Sequence, residues 1–301
     1  MRRALIVGAH GQDGRLLHER LAGEGTDVLP VVRGDMDLRD ARAIGALLEC
    51  RPEEIYYLAA HHHSSQDVSG SGELELYRKS VEVHMDGAMC FLDAIRFHSP
   101  ATRFFYAGSS LVFGNPSAEM QNEETAFDPR CLYGITKASG LRLCRHYREK
   151  HGVFAAGGIL FNHESPLRHQ KFVIPKIIDA ALAIARGSTK KLQLGDLSAR
   201  VDWGYAPDYV DAMIRIIRLA APGEFVVATG ETHTVQEVVE TVFAGLKLDW
   251  RLHVEESPGI LTRRRSTLCG DSSKLLSAAG WQPSVGFHEM LSILVEARRN
   301  G

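Results

Sequence analysis

Hydrophobic and polar positions alternate in blocks along the first half of the chain. Short apolar runs of strand length are separated by longer segments in which apolar residues recur at helical spacing. The apolar runs predict strands at residues 4–8, 27–33, 54–60, 103–110 and 153–161. The segments between them predict helices at residues 12–24, 39–50, 75–97 and 133–150. This order predicts a doubly wound α/β fold, in which helices cover both faces of a parallel sheet.

The pattern changes beyond Pro166. The elements predicted there are helices at 172–187, 208–220, 234–246, 272–279 and 287–298, and strands at 191–195 and 225–230. We therefore predict two packed parts. Residues 1–165 and about 202–232 form the sheet domain, whereas about 166–201 and 233–301 form a smaller, discontinuous C-terminal lobe over the strand ends.

Composition narrows the possible functions. The 301 residues carry a formal net charge of -2, which gives no support for binding to nucleic acid or to a membrane surface. The five scattered cysteines form no CxxC pair, which favours reduced thiols and a cytoplasmic location. The consecutive histidines at 61–63 cannot all point one way, and no carboxylate or cysteine cluster accompanies them, so we predict no metal site.

A glycine-rich turn, VGAHGQDG, follows the first predicted strand and opens the first helix. Gly8, Gly11 and Gly14 let the backbone approach a pyrophosphate, which the N-terminus of the helix then stabilises. The strand–turn–helix context favours a dinucleotide site of the Rossmann type that includes Gln12 and Asp13. A tight turn with close helix packing is the alternative interpretation.

The end of the second predicted strand indicates which dinucleotide is bound. Arg33 stands where an NAD enzyme places an acidic residue, and a guanidinium there suits the 2′-phosphate of NADP(H). A solvated loop arginine is the alternative. Asp37 and Leu38 follow after a short connection and could hold the adenine amino group.

Three residues suggest proton transfer coupled to hydride transfer. Tyr133 and Lys137 are four residues apart and so share a helix face, where a lysine cation would lower the pKa of the phenol. Tyr133 could then exchange a proton with a hydroxyl or carbonyl oxygen of the substrate. Ser109, at the end of the fourth predicted strand, would hydrogen-bond the same oxygen, and Ser110 would assist it in binding the substrate.

These parts together resemble the extended short-chain dehydrogenase/reductase family over essentially the whole chain. Within that family, the likeness is to GDP-mannose 4,6-dehydratases and related GDP-sugar enzymes of deoxysugar biosynthesis. The motifs that carry it include YYLAA, NEETAFDPRCLYGITK, LFNHESP and ATGETHTVQE. The resemblance implies that the C-terminal lobe binds a nucleotide sugar, with a GDP-linked substrate favoured.

The resemblance also implies roles for individual residues. It implies that Tyr133 and Lys137 hold the nicotinamide ribose. It places Asn162 and Lys176 near the diphosphate of the substrate. The remaining implied cofactor contacts are Leu58, Ala59, Ala60, His163 and Arg168. Taken singly, each polar residue could equally cap a loop, lie in solvent or find partners in the core.

The chain departs from the dehydratases at three places. Leu111 stands where they carry the glutamate that takes the C5 proton of the sugar, and a leucine cannot exchange a proton. Val201 stands where the dehydratases carry an arginine, and Arg200 lies one position earlier, which turns its side chain to the other face of the strand. A diphosphate contact is therefore either lost or supplied by Arg263, in an arginine run that could equally be solvated. Arg200 and Arg263 remain candidate substrate-binding residues. The short loop after Arg33 disfavours their tetramer, so we expect a homodimer through the helices at 75–97 and 133–150.

Three hypotheses follow. The first is an NADP(H)-dependent 4-ketoreductase of a GDP-4-keto-6-deoxy sugar, either a hexose or a heptose. The second is a dehydratase or epimerase that uses an unusual base, such as His84 or a histidine of the 61–63 run. The third is a non-catalytic protein that holds NADP.

Overall fold

The computed structural model describes residues 2–32, 34–61, 72–257 and 267–300. Their central feature is a parallel six-stranded sheet with the spatial order β10-β5-β4-β3-β1-β2. Its strands are β1 (Arg3–Val7), β2 (Asp27–Val31), β3 (Glu54–Tyr57), β4 (Arg103–Ala107), β5 (Ala155–Leu160) and β10 (Glu224–Val227). The predicted doubly wound sheet is confirmed, and the apolar run near residue 225 supplies its edge strand beside β5.

Helices cover both faces of this sheet and build the second part of the molecule. Those of the first half are α1 (Gln12–Gly23), α2 (Ala41–Leu48), α3 (Glu73–Val81), α4 (Gly87–His98) and α5 (Leu132–His151). Those of the second half are α6 (Val173–Ala185), α7 (Ala206–Ile217), α8 (Val235–Gly245), α9 (Ser273–Ala279) and α10 (Phe287–Asn300). In the part of the chain described, no helix combines the length and apolar character needed to cross a membrane.

Two predicted elements differ from those observed. The single helix predicted over residues 75–97 is divided into α3 and α4 by a π-helical turn, Glu82–Asp86. The strand predicted to run to residue 110 ends at Ala107, because the chain turns there into a 3₁₀ helix, Ser110–Val112. Ser109 therefore lies just beyond the sheet, where its side chain is not confined between two packed layers.

A second apolar cluster lies outside the main sheet and is formed largely by α6, α8 and α10. Short strand pairs border it: β6 (Asn162–Glu164) with β9 (Trp203–Tyr205), β7 (Leu192–Leu194) with β12 (Val254–Glu256), and β8 (Arg200–Val201) with β11 (His233–Thr234). The cluster and the strand pairs draw on separated stretches of chain. The domain boundaries given above stay a prediction.

A buried carboxylate joins the segments at the carboxyl end of the sheet. Asp202 accepts hydrogen bonds from the backbone N–H groups of Thr229, Gly230 and Gly270, at 3.0, 3.1 and 3.2 Å. The Thr229 hydroxyl donates a fourth, at 2.7 Å. Burial raises the pKa of Asp202, whereas these donors lower it. A carboxylate with several donors tolerates burial, and here it fixes three loops relative to one another.

Candidate functional site

A cleft of about 950 Å³ opens over the carboxyl ends of the parallel strands. In sheets of this class, connecting loops at this edge form the ligand-binding crevice. The cleft is bordered on one side by the glycine-rich turn after β1 and on the other by α5. Its lining includes most of the residues that the sequence singled out, namely Gly8, Gly11, Gln12, Asp13, Asp37, Leu38, Leu58, Ala59, Ala60, Ser109, Ser110, Tyr133, Lys137, Asn162, His163 and Arg168.

The glycine turn has the shape that a bound pyrophosphate requires. Gly8 has a φ of +95°, and a Cβ there would lie 2.8 Å from the Ala59 nitrogen. A Cβ on Gly14 would overlap the Gly8 carbonyl oxygen. Gly11 is the N-cap residue of α1 and has no side chain that could cap it, so the first N–H groups of the helix are available to an anion. The turn therefore fits a dinucleotide, as its sequence predicts.

A charged pair stands beside this turn. The Asp13 carboxylate lies 3.0 Å from His163 Nε2, and His163 Nδ1 donates to the Phe161 carbonyl at 2.7 Å. Burial alone would raise the pKa of Asp13, but the charge and hydrogen bond of His163 lower it to about 2. Burial likewise opposes protonation of His163, yet Asp13 raises its pKa. Gln12 completes the link by donating to both residues, at 3.0 and 3.2 Å.

The opposite end of the cleft holds Asp37 and an arginine that the sequence analysis did not single out. Arg39 donates to both carboxylate oxygens of Asp37 at 2.9 Å, and these bonds lower the pKa of Asp37 to about 2. Arg39 also lies 3.1 Å from Glu82 and contributes to the cleft lining. The sequence signal that could have identified Arg39 is its position two residues after Asp37, a predicted cofactor contact. Arg33 lies outside the described residues.

Ser109, Tyr133 and Lys137 all line the cleft. Lys137 is 1% exposed, and its Nζ donates to the Ala107 carbonyl at 2.8 Å. Ser109 Oγ accepts from the Leu111 N–H at 3.3 Å and so caps the 3₁₀ helix. A Cβ on Gly134 would lie only 2.5 Å from the Leu111 carbonyl oxygen. Close packing of α5 on this segment therefore keeps the serine beside the tyrosine and the lysine.

The ionisation of this group differs from the sequence-based expectation that Lys137 lowers the pKa of Tyr133. Burial raises the pKa of Tyr133 above its usual value, and the lowering contribution comes from the charge of Arg168. Burial also lowers the pKa of Lys137 to about 7. The expectation is wrong for the protein alone because burial raises the pKa of Tyr133 more than the neighbouring positive charge of Arg168 lowers it. Tyr133 thus retains its proton near neutral pH and can act as a proton donor.

The remaining predicted cofactor and substrate residues lie in different places. Arg168, an implied cofactor contact, lines the cleft and stacks on Phe172, with its Cζ 3.6 Å from the ring centroid and its Nε 3.5 Å from Glu164. Lys176 instead donates to the Gln193 carbonyl at 2.9 Å, and Arg200 donates to Thr232. Neither belongs to the lining of the cleft. Their predicted substrate contacts stay predictions, and Arg263 lies outside the described residues.

Two further sequence-based proposals concern histidines. His84 is fully buried, and both of its ring nitrogens make hydrogen bonds, so it is not placed to serve as the unusual base. His61 lines the cleft, whereas His62 and His63 lie outside the described residues. Among the described residues, no group of three or more potential ligands could hold a metal ion.

Comparison with known proteins adds evidence that is independent of this geometry. The family model described as GDP-mannose 4,6 dehydratase matches residues 34–294. The chain is 36% identical to GDP-mannose 4,6 dehydratase 2 of Arabidopsis thaliana, over 97% of the chain and 86% of that protein. It is 33% identical to the human GDP-mannose 4,6 dehydratase, over 98% of the chain and 90% of that protein.

Solved structures share the fold at lower identity. The structure of RMD from Pseudomonas aeruginosa complexed with NADPH superposes with a TM-score of 0.87 at 21% identity, covering 100% of both chains. dTDP-glucose 4,6-dehydratase from Bacillus anthracis, in complex with NAD, superposes with a TM-score of 0.86 at 16% identity, covering 100% of this chain and 97% of that one.

Proposed function

The chain belongs to the GDP-mannose 4,6-dehydratase family, and from this premise we propose that it is an NADP(H)-dependent oxidoreductase acting at C4 of a GDP-linked sugar. The observation that carries the proposal is the meeting of Ser109, Tyr133 and Lys137 in a cleft that continues to the glycine turn. The relatives named GDP-mannose 4,6 dehydratase support the GDP-linked sugar.

Each catalytic residue has a role that its surroundings support. NADP(H), when bound, supplies or accepts the hydride at C4. Tyr133 gives its proton to the oxygen on C4 during reduction and takes it back during oxidation, and its raised pKa keeps it protonated until charge develops on that oxygen. The Ser109 hydroxyl donates to the same oxygen. Lys137 binds the ribose next to the tyrosine.

NADP is preferred over NAD in this proposal. Arg33 follows β2, where the 2′-phosphate of the adenosine would be recognised, and a guanidinium matches a phosphate with two hydrogen bonds. Arg39, which lines the cleft, adds a second guanidinium that could bind this phosphate. The similar Pseudomonas aeruginosa structure is complexed with NADPH, which agrees with this choice.

Two net reactions share the step at C4. The names of the relatives favour the 4,6-dehydration of GDP-mannose, in which oxidation at C4 precedes loss of the C5 proton and of water. Elimination needs a base at C5 and Leu111 cannot supply one. A dehydratase would therefore have to use a different group of this chain.

The second candidate is the reduction of a GDP-4-keto-6-deoxy sugar. A specific observation favours it: Leu111 lines the cleft beside Ser109, where an elimination would require a proton-accepting side chain. Reduction needs only a hydride and a proton at one carbonyl, and Ser109 and Tyr133 provide for both the orientation and the proton.

One experiment separates these reactions. The protein is incubated with NADP⁺ and GDP-mannose, and separately with NADPH and GDP-4-keto-6-deoxymannose. NADPH is followed by absorbance and the products by NMR. A keto sugar from the first mixture supports dehydration, and NADPH consumption in the second supports reduction. Bound cofactor with no reaction in either mixture, equally in wild type and Tyr133→Phe, would contradict the proposal and favour a non-catalytic binding protein.

We also propose that the protein is a homodimer. Large apolar side chains are exposed on neighbouring helices: Leu74 and Tyr77 on α3, Met89 on α4 and Ile135 on α5. α3 and α4 both pack against α5, so these residues belong to one helical layer. Exposed apolar patches of this kind commonly mark interfaces. The cytoplasmic location that the cysteines favour stays a prediction.

A further inference from the structure

The π turn between α3 and α4 has a structural cause that lies in the sheet. A π turn changes the register of the helical hydrogen bonds. Two carbonyl groups of this turn accept hydrogen bonds from buried tyrosines: Val83 from the Tyr57 hydroxyl at 2.5 Å and His84 from the Tyr106 hydroxyl at 3.0 Å. Gly87 allows this approach, since a Cβ there would overlap the Tyr57 hydroxyl. The sheet thereby fixes the place of His84.

The His84 ring joins two walls of the cleft. Its Nε2 accepts the backbone N–H of His61 at 3.0 Å, and its Nδ1 lies 2.8 Å from Thr136 Oγ1. A nitrogen that accepts an N–H bond carries no proton, so we assign the neutral tautomer in which Nδ1 donates to Thr136. Thr136 Oγ1 in turn donates to the carbonyl of Leu132 or Tyr133, at 3.0 and 3.1 Å.

The same ring also contacts the catalytic phenol. The centroids of the His84 and Tyr133 rings are 5.1 Å apart, and the rings meet edge to face at 84°. His84 is therefore held by the sheet from behind, bonded to the first turn of α5 through Thr136, and packed on the side chain that this turn presents. His61 belongs to the segment after β3, which also lines the cleft.

From these contacts we infer that His84 is a positioning residue. It sets the orientation of the Tyr133 side chain through Thr136 and fixes the position of that side chain relative to the segment after β3. The inference rests on the proposed function for its catalytic consequence, whereas the orientation itself can be measured without a substrate. His84 transfers no proton to the sugar, because it is fully buried and both ring nitrogens are bonded within the protein.

The kinetic test compares two buried threonines. Thr136→Val removes the hydroxyl that His84 binds, whereas Thr102→Val removes an equally buried hydroxyl that bonds Ser99 and Pro52 at the other end of the sheet. Misplacing a reacting group costs rate rather than affinity, so Thr136→Val should lower kcat roughly tenfold to a hundredfold while the KM for NADPH changes less than about threefold. Thr102→Val should keep the wild-type kcat per folded molecule.

Variants at His84 itself provide a rescue. His84→Leu removes both hydrogen bonds, whereas His84→Asn retains a donor near the position of Nδ1. We expect His84→Asn to retain a kcat severalfold above that of His84→Leu. Equal kcat values in His84→Leu, Thr136→Val and Thr102→Val, each corrected for the folded fraction, would overturn the inference.

A second measurement works even if no substrate reacts. The protein is labelled with ¹³Cζ-tyrosine, and the Tyr133 signal is the one that Tyr133→Phe lacks. The inference predicts that Thr136→Val and His84→Leu shift this signal, while Thr102→Val leaves it unchanged. An unchanged Tyr133 signal in Thr136→Val overturns the inference. Failure of the proposed function appears separately, as the absence of turnover in the wild type.

Discussion

The side chain of Leu111 bears directly on the proposed chemistry. Leu111 lines the cleft together with Ser109, and its own N–H donates to Ser109 Oγ. The Leu111 side chain therefore faces the cleft but has no group that can accept or donate a proton. The names of the relatives point to dehydration, whereas this side chain points to a reaction that ends with hydride transfer.

Restoring a carboxylate at this position tests that interpretation. Leu111→Glu should raise the exchange of the C5 proton of GDP-4-keto-6-deoxymannose with solvent deuterium by roughly a hundredfold, because a positioned base accelerates proton abstraction by about that factor or more. Leu111→Gln, of the same shape but without basicity, should resemble the wild type. Deuterium incorporation is read by NMR. Rapid exchange in the wild type would show that another group already serves as the base.

Removing the Tyr133 hydroxyl should stop proton transfer while leaving the cleft intact. We expect Tyr133→Phe to lower kcat by about 10²- to 10⁴-fold, the usual contribution of a general acid. The Kd for NADP, measured by calorimetry, should remain close to the wild-type value, because the proposed pyrophosphate site is the glycine turn and the N-terminus of α1. A proportional loss of NADP binding would mean that Tyr133 acts mainly in cofactor binding.

At the scale of elements, the Asp13–His163 pair joins α1 to β6 and makes stability depend on pH. The raised pKa of His163 means that its contribution is complete below its ordinary value of 6.5 and is lost as the pH rises through the raised value. The lowered pKa of Asp13 means that its contribution is present above 3.8 and is lost as the pH falls through about 2. The pair therefore stabilises the protein most between these limits.

This dependence gives a measurable difference. Asp13→Asn should lower the free energy of unfolding by about 2 kcal/mol at pH 5 and by less at pH 9, because the contribution of His163 falls as the pH rises through its raised pKa. Urea unfolding at the two pH values measures the effect. A loss of the same size at both values would show that the two groups interact as neutral hydrogen-bonding partners.

A capping box begins α8. The Thr234 hydroxyl accepts the Glu237 N–H at 3.0 Å, and the Glu237 carboxylate accepts the Thr234 N–H at 3.0 Å. Thr234→Ala should destabilise the protein by about 1 kcal/mol, whereas Thr234→Ser should retain nearly all of the stability. Thermal unfolding compares the two variants, and equal losses would mean that the hydroxyl does not cap the helix.

These elements also show what a sequence can and cannot predict. Buried parallel strands must be apolar along their length, so the runs that became β1, β3, β4 and β5 were recognisable. The π turn at Glu82–Asp86 was not recognisable. The helical periodicity continues through it, and the tyrosines that bond its carbonyl groups lie in β3 and β4. Likewise, the contact of Lys176 with the Gln193 carbonyl depends on packing between distant segments, which no local pattern encodes.

At the scale of the whole molecule, the apolar face of α3, α4 and α5 should hold two copies together. Tyr77→Glu places a charge within that face and should convert a dimer into a monomer, as measured by light scattering after gel filtration. The matched control is Leu252→Glu, since Leu252 is 67% exposed and outside this face. Dimers in both variants, or a monomeric wild type, would rule out this interface.

The proposed reaction transfers a hydride between NADP(H) and C4 of a GDP-linked sugar that Ser109, Tyr133 and Lys137 help to position and protonate. Deuterium tracing by NMR tests it most directly, with C4-deuterated GDP-mannose and NADP⁺ in one direction and deuteride-labelled NADPH with GDP-4-keto-6-deoxymannose in the other. Deuterium should leave or enter sugar C4 in at least one direction, and Tyr133→Phe should suppress the transfer. Deuterium that stays where it began in both directions, in a protein that binds the cofactor, would contradict it.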